Sequence, residues 1–413
     1  MKYKVILAAA MLLAIGALSA KAQNREMSPY SMYGYGMLTD NASSTQRAMG
    51  GVGYAMSNGR QINVMNPASY AMCDSLTFLW DIGLGFTNLW SKEGTTNSKA
   101  FGGGLDYITM QFPISKTVGG SFGLVPYSSV GYAFGNSLDT GSELRQGEGG
   151  INQLYAGVAY RPFDFVSVGA NFSYVFGTTT NDAYAYTTDG STTLFERVID
   201  VRDWGVQLGV QFSKVFAKKH RATLGVSYTP SKSLHGNVLA LKYDATSDTK
   251  TDTISYSGMG CNFSTPHSIG VGLNYTYDDR LTTEVDFTYQ NWKSAKFKDE
   301  ANFGSNLFKN RTKIAAGLQY IPKLRGNYLQ RINYRIGGHY TNDYITVRGN
   351  DVSEYGVSLG FGLPSNFSKT MVNLSFEYKR RKSSPINYIQ EDYFNITIGV
   401  NFNEMWFWKN KIR

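Results

Sequence analysis

From about Leu76 to the C-terminus, segments of roughly ten residues alternate apolar with small or polar positions, and turn residues separate them. Val166, Val168, Ala170, Phe172, Tyr174 and Phe176 alternate with Ser167, Gly169, Asn171 and Ser173. Trp204, Val206, Leu208, Val210 and Phe212 alternate with Gly205, Gln207, Gly209 and Gln211. Ile269, Val271, Leu273, Tyr275 and Tyr277 do the same against Gly270, Gly272, Asn274 and Thr276, and the rhythm returns at Tyr355–Phe361 and Val372–Tyr378. A period of two is a strand signal. A soluble sandwich alternates too, but here the second face is Gly, Ser, Asn, Gln and Thr almost without charge. That composition suits a barrel lumen better than open solvent.

Fourteen such strands are predicted, beginning near Leu76, Phe101, Thr117, Ile151, Asp164, Val198, Arg221, Pro266, Leu281, Arg311, Arg331, Val352, Lys369 and Tyr393. An even number is what single-chain bacterial barrels require. The connections alternate between mostly short ones (Ser115-Lys116, Asp278-Asp279) and longer polar stretches, among them 136–150, 178–197 and 229–265. Short turns on one side and long loops on the other are the expected asymmetry of a membrane barrel. The last strand carries Phe394, Ile396, Ile398, Val400 and Phe402 and runs into Trp406-Phe407-Trp408 before a basic tail. The predicted fold class is therefore all-β: a 14-stranded antiparallel transmembrane β-barrel of the outer membrane.

The N-terminus agrees with export. Lys2 and Lys4 precede a short apolar run, Val5–Leu18, and Ala20-Lys21-Ala22 fits a signal-peptide cleavage site. Residues 1–22 are read as signal peptide, 23–75 as an N-terminal hatch (plug) and 76–413 as barrel. The hatch region lacks clean alternation. It holds seven of the thirteen Met residues, including Met49, Met56 and Met65. Its apolar content argues for burial, and Met is a flexible filler suited both to packing and to variable apolar ligands.

Composition narrows the alternatives. Of 413 residues 17% are charged and 14% aromatic, with two Cys and four His. Disorder, a disulfide scaffold and a multi-Cys zinc protein are excluded. The net charge of +9 comes from scattered Lys and Arg, read first as solvated turns and loops; in an exported protein it fits lipid head groups and lipopolysaccharide better than nucleic acid. No catalytic triad spacing, His-x-x-x-His, phosphate loop or carboxylate pair stands out, so no enzyme activity, cofactor or metal is expected. Cys73 and Cys261 fall at the hatch end and in an external loop, a placement that argues against pairing.

Several stretches are similar to the FadL-type transporters of long-chain fatty acids and toluene. These are Asn66-Pro67-Ala68 with the Gly-rich 47–53 before it, the hairpin 265–297, Arg311–Pro322 and Tyr334–Tyr340. The resemblance implies a fourteen-stranded barrel with an N-terminal hatch and passive inward passage of hydrophobic compounds; a monomer is expected. Ligand would be captured on external loops, move to a lumen pocket and leave through a gap at an inward kink of the third strand. In this chain Pro126 sits inside that strand, where it removes a ladder hydrogen bond, and Gly131 adds freedom; a simple bulge is the plain alternative. Leu239 and Leu241, in the longest loop, are candidates for the capture groove or for packing over the barrel mouth. Arg335 and His339 have inward parity and are candidates for an acid head group. The simplest reading pairs Arg335 with Asp286; an unpaired Arg335 would favour a carboxylate ligand. Related hatch-bearing barrels of secretion systems act as shuttle or attachment subunits, so a role in protein secretion or surface attachment, without small-molecule transport, is the rival reading.

Overall fold

The computed structural model describes residues 27–138, 141–244, 249–298, 308–365 and 369–405. The signal-peptide assignment, the aromatic end 406–408 and the basic tail lie outside them.

Fourteen strands form one closed antiparallel ring. They are β1 (Thr77–Glu93), β2 (Thr96–Pro113), β3 (Val118–Leu138), β4 (Gly141–Phe163), β5 (Val166–Thr187), β6 (Thr192–Phe216) and β7 (His220–Thr229), followed by β8 (Ser268–Tyr277), β9 (Leu281–Gln290), β10 (Arg311–Tyr320), β11 (Asn333–Val347), β12 (Asn350–Pro364), β13 (Met371–Ser384) and β14 (Gln390–Met405). β14 closes on β1 from Met405↔Thr77 to Gln390↔Lys92. Closure gives every strand of the ring two neighbours, the condition for a strand-built membrane span. The alternation seen in sequence decides the faces. Trp204, Val206, Leu208 and Phe212 of β6 are exposed on the outside, as are Ile269 and Leu273 of β8 and Val357 and Leu359 of β12. Asn171, Ser173, Gln211 and Asn274 are buried on the inside.

Two expected loops are strand instead. Residues 136–150 and 178–197 mostly extend β3–β6, with Gln146 opposite Asp182 and Asn181 opposite Arg197. Beyond the apolar band both faces carry polar residues, the inward Asn181 and Arg197 being buried, so the hydropathy rhythm fades while the backbone ladder continues; Thr178–Thr180 also favour extended structure. The long 229–265 connection contains a hairpin, Gly236–Asp244 with Thr249–Gly258, whose first strand pairs with β6 from Gly236↔Val201 to Asp244↔Thr193.

Residues 27–76 sit inside the ring. A 3-10 turn, Pro67–Met72, is capped by Asn66, whose Oδ1 accepts from Ala68 N at 3.1 Å. Asn66 Nδ2 lies within donating distance of the carbonyls of Tyr54 (2.7 Å), Val210 (3.3 Å) and Val226 (3.3 Å). The wall beneath is glycine-lined for a reason. A Cβ on Gly209 would strike Asn66 and Pro67, and one on Gly225 would strike the carbonyl of Tyr54. Near the other end Tyr35 and Met37 join Leu234, Val238, Trp292 and Tyr344 in an aromatic-rich core that covers the mouth.

Candidate ligand pocket

A cavity of about 430 Å³ lies between the inner segment and the wall of β4–β9. Met65, Tyr54, Tyr127, Ile151, Val175, Val201 and Leu234 supply much of its apolar surface, and Gln153, Gln207, Thr288 and Gln290 supply polar positions. Those polar groups are mostly engaged with the protein. Gln207 donates to the carbonyl of Met65 (2.9 Å) and to Ser227 (2.9 Å), Tyr54 meets Thr288 at 3.0 Å, and Gln290 accepts from Trp292 (2.9 Å). Burial pushes the Tyr54 hydroxyl well up, so it stays protonated.

The charged lining groups are paired. Asp40 takes Lys313 at 2.5 Å and Arg311 at 3.2 Å. Burial alone would raise its carboxyl, but these two cations outweigh it and hold Asp40 well below the usual carboxylate range. Lys232 is bound to Asp203 and donates to the carbonyl of Trp204 at 2.7 Å. A size of several hundred Å³ with mixed apolar and polar lining is typical of small-molecule sites.

The sequence candidates scatter around this pocket. Met65 lines it. Met49 and Met56 are buried with Val52 and Ala315 and fill space between the inner segment and the wall. Arg335 is 2% exposed and meets neutral partners, Gln319 at 2.7 Å and Asn373 at 2.7 Å. The expected Asp286–Arg335 bridge is not formed, but Arg335 is not among the residues lining the pocket, so it presents no charge to a carboxylate there. Asp286 instead accepts the amides of Gly53 and Tyr54, and Glu284 accepts that of Ala55. His339 belongs to a separate polar cluster around a 70 Å³ cavity, 3.3 Å from Glu354, which also takes Arg381 at 2.6 Å. Leu241 is buried and Leu239 half-buried in the hairpin strand against β6. Cys73 is half-buried with a hydrogen-bonding contact to Thr77 at 3.5 Å; the Cys261 side chain is outside the described residues.

At Pro126 the wall changes. β3 pairs with β2 only from Gly119↔Pro113 to Leu124↔Ile108, while its pairing with β4 continues through a bulge between Pro126 and Ser128. The freed edge is taken by the inner segment: Met37 and Leu38 pair with Ser129 and Ser128, Thr39 N donates to Tyr127 O (2.9 Å), and Ser28 N donates to Gly131 O (2.6 Å). The cavity behind this kink, lined by Val125, Pro126, Asp106 and Tyr107, holds about 10 Å³. The residues that sequence reasoning passed over are Phe172, Trp204, Gly205, Pro230 and Pro266, all at the pocket. Two prolines bracketing the longest connection were the available signal.

A closed 14-stranded ring, apolar outside, with its N-terminal segment bound in the lumen beside a mixed pocket, defines an outer-membrane β-barrel with an internal plug. The sequence matches the BamG family over residues 1–413, and the chain belongs to that family. In fold it is similar to solved FadL-type barrels. A FadL homologue of Pseudomonas aeruginosa superimposes with a TM-score of 0.62 at 12% identity, over 90% of this chain and 99% of that one. The monoaromatic hydrocarbon channel CymD gives 0.60 at 16% identity, over 88% and 98%. The toluene transporter TbuX of Ralstonia pickettii gives 0.60 at 13% identity, over 88% and 98%. The FadL-type likeness is thus one of fold, and the family is BamG. No curated protein sequence matches the chain.

Proposed function

We propose that the barrel binds small, uncharged hydrophobic molecules in the 430 Å³ pocket and passes them passively through the outer membrane. The observation that carries this reading is the pocket itself: largely apolar, beside Met65, with its polar and charged neighbours engaged within the protein. A free carboxylate entering it finds Lys232, the cation that lines it, already paired with Asp203, and burying an unpaired charge is costly. The solved barrels of similar fold named as hydrocarbon or toluene channels support the same direction. The test is binding of the neutral probe 1-N-phenylnaphthylamine and of laurate by the purified barrel, with uptake by cells that have or lack it. Saturable probe binding with a much weaker laurate response is expected. No saturable binding of the probe, with unchanged uptake, sinks the reading.

One observation favours the second reading, a subunit for protein secretion or surface attachment. The plug is bonded to β3, β9, β12 and β14 by buried hydrogen bonds, including Gly53 to Asp286, Gly50 to Ser358 (2.8 Å) and Ser28 to Glu391 (2.8 Å). A plug so held suits a barrel whose work is done on its surface. Loss of exported surface proteins without the barrel, at unchanged probe uptake, is the outcome that selects it.

A further inference from the structure

The wall has a second interruption, between β6 and β7. β6 pairs with β7 from Phe216↔His220 to Leu208↔Tyr228, and with the hairpin strand from Val201↔Gly236 onward. Residues 203–207 between these ladders have no strand partner on that edge. The opposite segment, 230–235, turns away. Pro230 lacks an N–H for the ladder, and Lys232 and Ser233 pair with Thr265 and Ser264 instead. Trp204 on this edge is served by side chains instead, its N–H by Asp203 at 2.7 Å and its carbonyl by Lys232 at 2.7 Å; a strand edge without a ladder partner is tolerated where it lines a cavity, as it does here at the upper interface.

The pocket reaches through this place. Its lining joins Met65 and Tyr54 on the inside with Phe172 and Trp204 on the outside, each of the latter 52% exposed. Phe172 stacks on Trp204 with ring centres 4.9 Å apart, an aromatic lip of the kind found at membrane interfaces. Gly205 faces inward at the middle of the unpaired edge. A Cβ there meets only Val175 Cγ2 at 3.8 Å, unlike the crowded Gly209 and Gly225. By contrast, the β3 kink has its freed edge capped and about 10 Å³ behind it.

We infer that the interruption between β6 and residues 230–235 is a lateral portal through which uncharged hydrophobic molecules exchange between the pocket and the bilayer. The inference rests on the pocket binding such molecules, as proposed above. Glycine at 205 keeps the portal open, and the Lys232–Asp203 pair holds its frame.

The test uses the full barrel in vesicles, wild type, Gly205→Phe and Gly104→Phe, with exchange of 1-N-phenylnaphthylamine followed by energy transfer from tryptophan. Gly104 lies on the unpartnered part of β2 beside the kink and also has open space at its Cβ. Gly205→Phe is expected to slow exchange at least tenfold, and Gly104→Phe to leave it within twofold. Wild-type exchange in Gly205→Phe, or a block only in Gly104→Phe, overturns the portal. A second variant, Gly205→Cys with Cys73 and Cys261 replaced by Ser, is exposed to pyrenylmaleimide dissolved in the bilayer. Labelling much faster than at Asn171→Cys, which faces the closed lumen, is expected; equal or absent labelling overturns the portal even if Gly205→Phe fails to fold. Labelling of Gly205→Cys without probe binding by the wild type leaves the opening in place and removes the proposed function.

Discussion

The amide of Gly53 donates to Asp286 Oδ2 at 2.6 Å, tying the plug to the middle of β9. The next two amides follow: Tyr54 to Asp286 at 3.1 Å and Ala55 to Glu284 at 2.9 Å. Two neighbouring carboxylates on one strand thus hold three successive backbone donors.

Removing the first carboxylate strands two buried donors. Asp286→Ala is expected to destabilise the seated plug by about 2–4 kcal/mol, the order of two unmade buried hydrogen bonds. Asp286→Asn keeps an acceptor and removes a charge beside Glu284, so its cost is less than about half of that. Tryptic cleavage after Arg47, which is held by Asp106 at 3.0 Å, reports plug release. Equal cleavage of wild type and Asp286→Ala would contradict this anchoring.

Asp40 makes the plug pH-dependent with a defined sign. Its carboxyl is held below its ordinary value by Lys313 and Arg311, against the effect of burial, so the folded state favours the ionised form. The stabilisation is complete above the unfolded value of about 4 and is lost as pH falls through the lower, folded value. The difference in thermal unfolding between wild type and Asp40→Asn is expected to be constant above about pH 5 and to shrink below about pH 4. A difference that grows on acidification contradicts the ion pairs.

Glycine at 225 is a requirement of close approach. A Cβ there collides with the Tyr54 carbonyl, and overpacking typically costs about 1–3 kcal/mol. Gly225→Val should unseat residues 53–56 while the exterior strand pairing persists, seen as faster hydrogen exchange confined to the plug. Gly205→Ala, placed over open space, should leave exchange unchanged.

The kink at Pro126 carries a prediction opposite to that for Gly205. Since Met37 and Leu38 occupy the freed edge of β3, Pro126→Val is expected to leave probe exchange within twofold of wild type. A tenfold loss would return the route to the third strand.

Cys73 reports plug closure chemically. Burial pushes its thiol up, which lowers the thiolate fraction near neutral pH. In a Cys261→Ser background, alkylation at pH 7.5 should be slow, and several-fold faster when Asp286→Ala is added. With Asp286 intact in that background, the rate should still be rising with pH beyond pH 9; a plateau below that contradicts the shift.

The barrel was legible because lipid imposes a period of two, and Trp204–Phe212 or Ile269–Tyr277 show it without interruption. The strand extensions at Gln146 and Asp182 were not, because polar faces on both sides erase the rhythm while the ladder continues. Asp286 pointed inward as its parity required, but its partner is a backbone amide, and backbone donors leave no mark in sequence. The pocket followed the same rule. Gly205 looked like any lumen glycine; what sets it apart is that Lys232 and Ser233 leave the wall to pair with Thr265 and Ser264, a long-range choice that no local pattern announces.

The unequal strand lengths give the molecule a profile above the lipid. β3–β6 run 21, 23, 22 and 25 residues, whereas β7–β10 run 10 each. At roughly 3.3 Å per residue and a tilt of about 40°, the longest strand rises about 60 Å and the short ones about 25 Å, the height of the apolar band itself. The strands therefore make a half-collar, a tall screen at β3–β6 and ladders nearly flush with the lipid at β7–β10. A body approaching along the surface therefore meets paired backbone far above the lipid on the β3–β6 flank, while the strands β7–β10 themselves stop at the top of the apolar band.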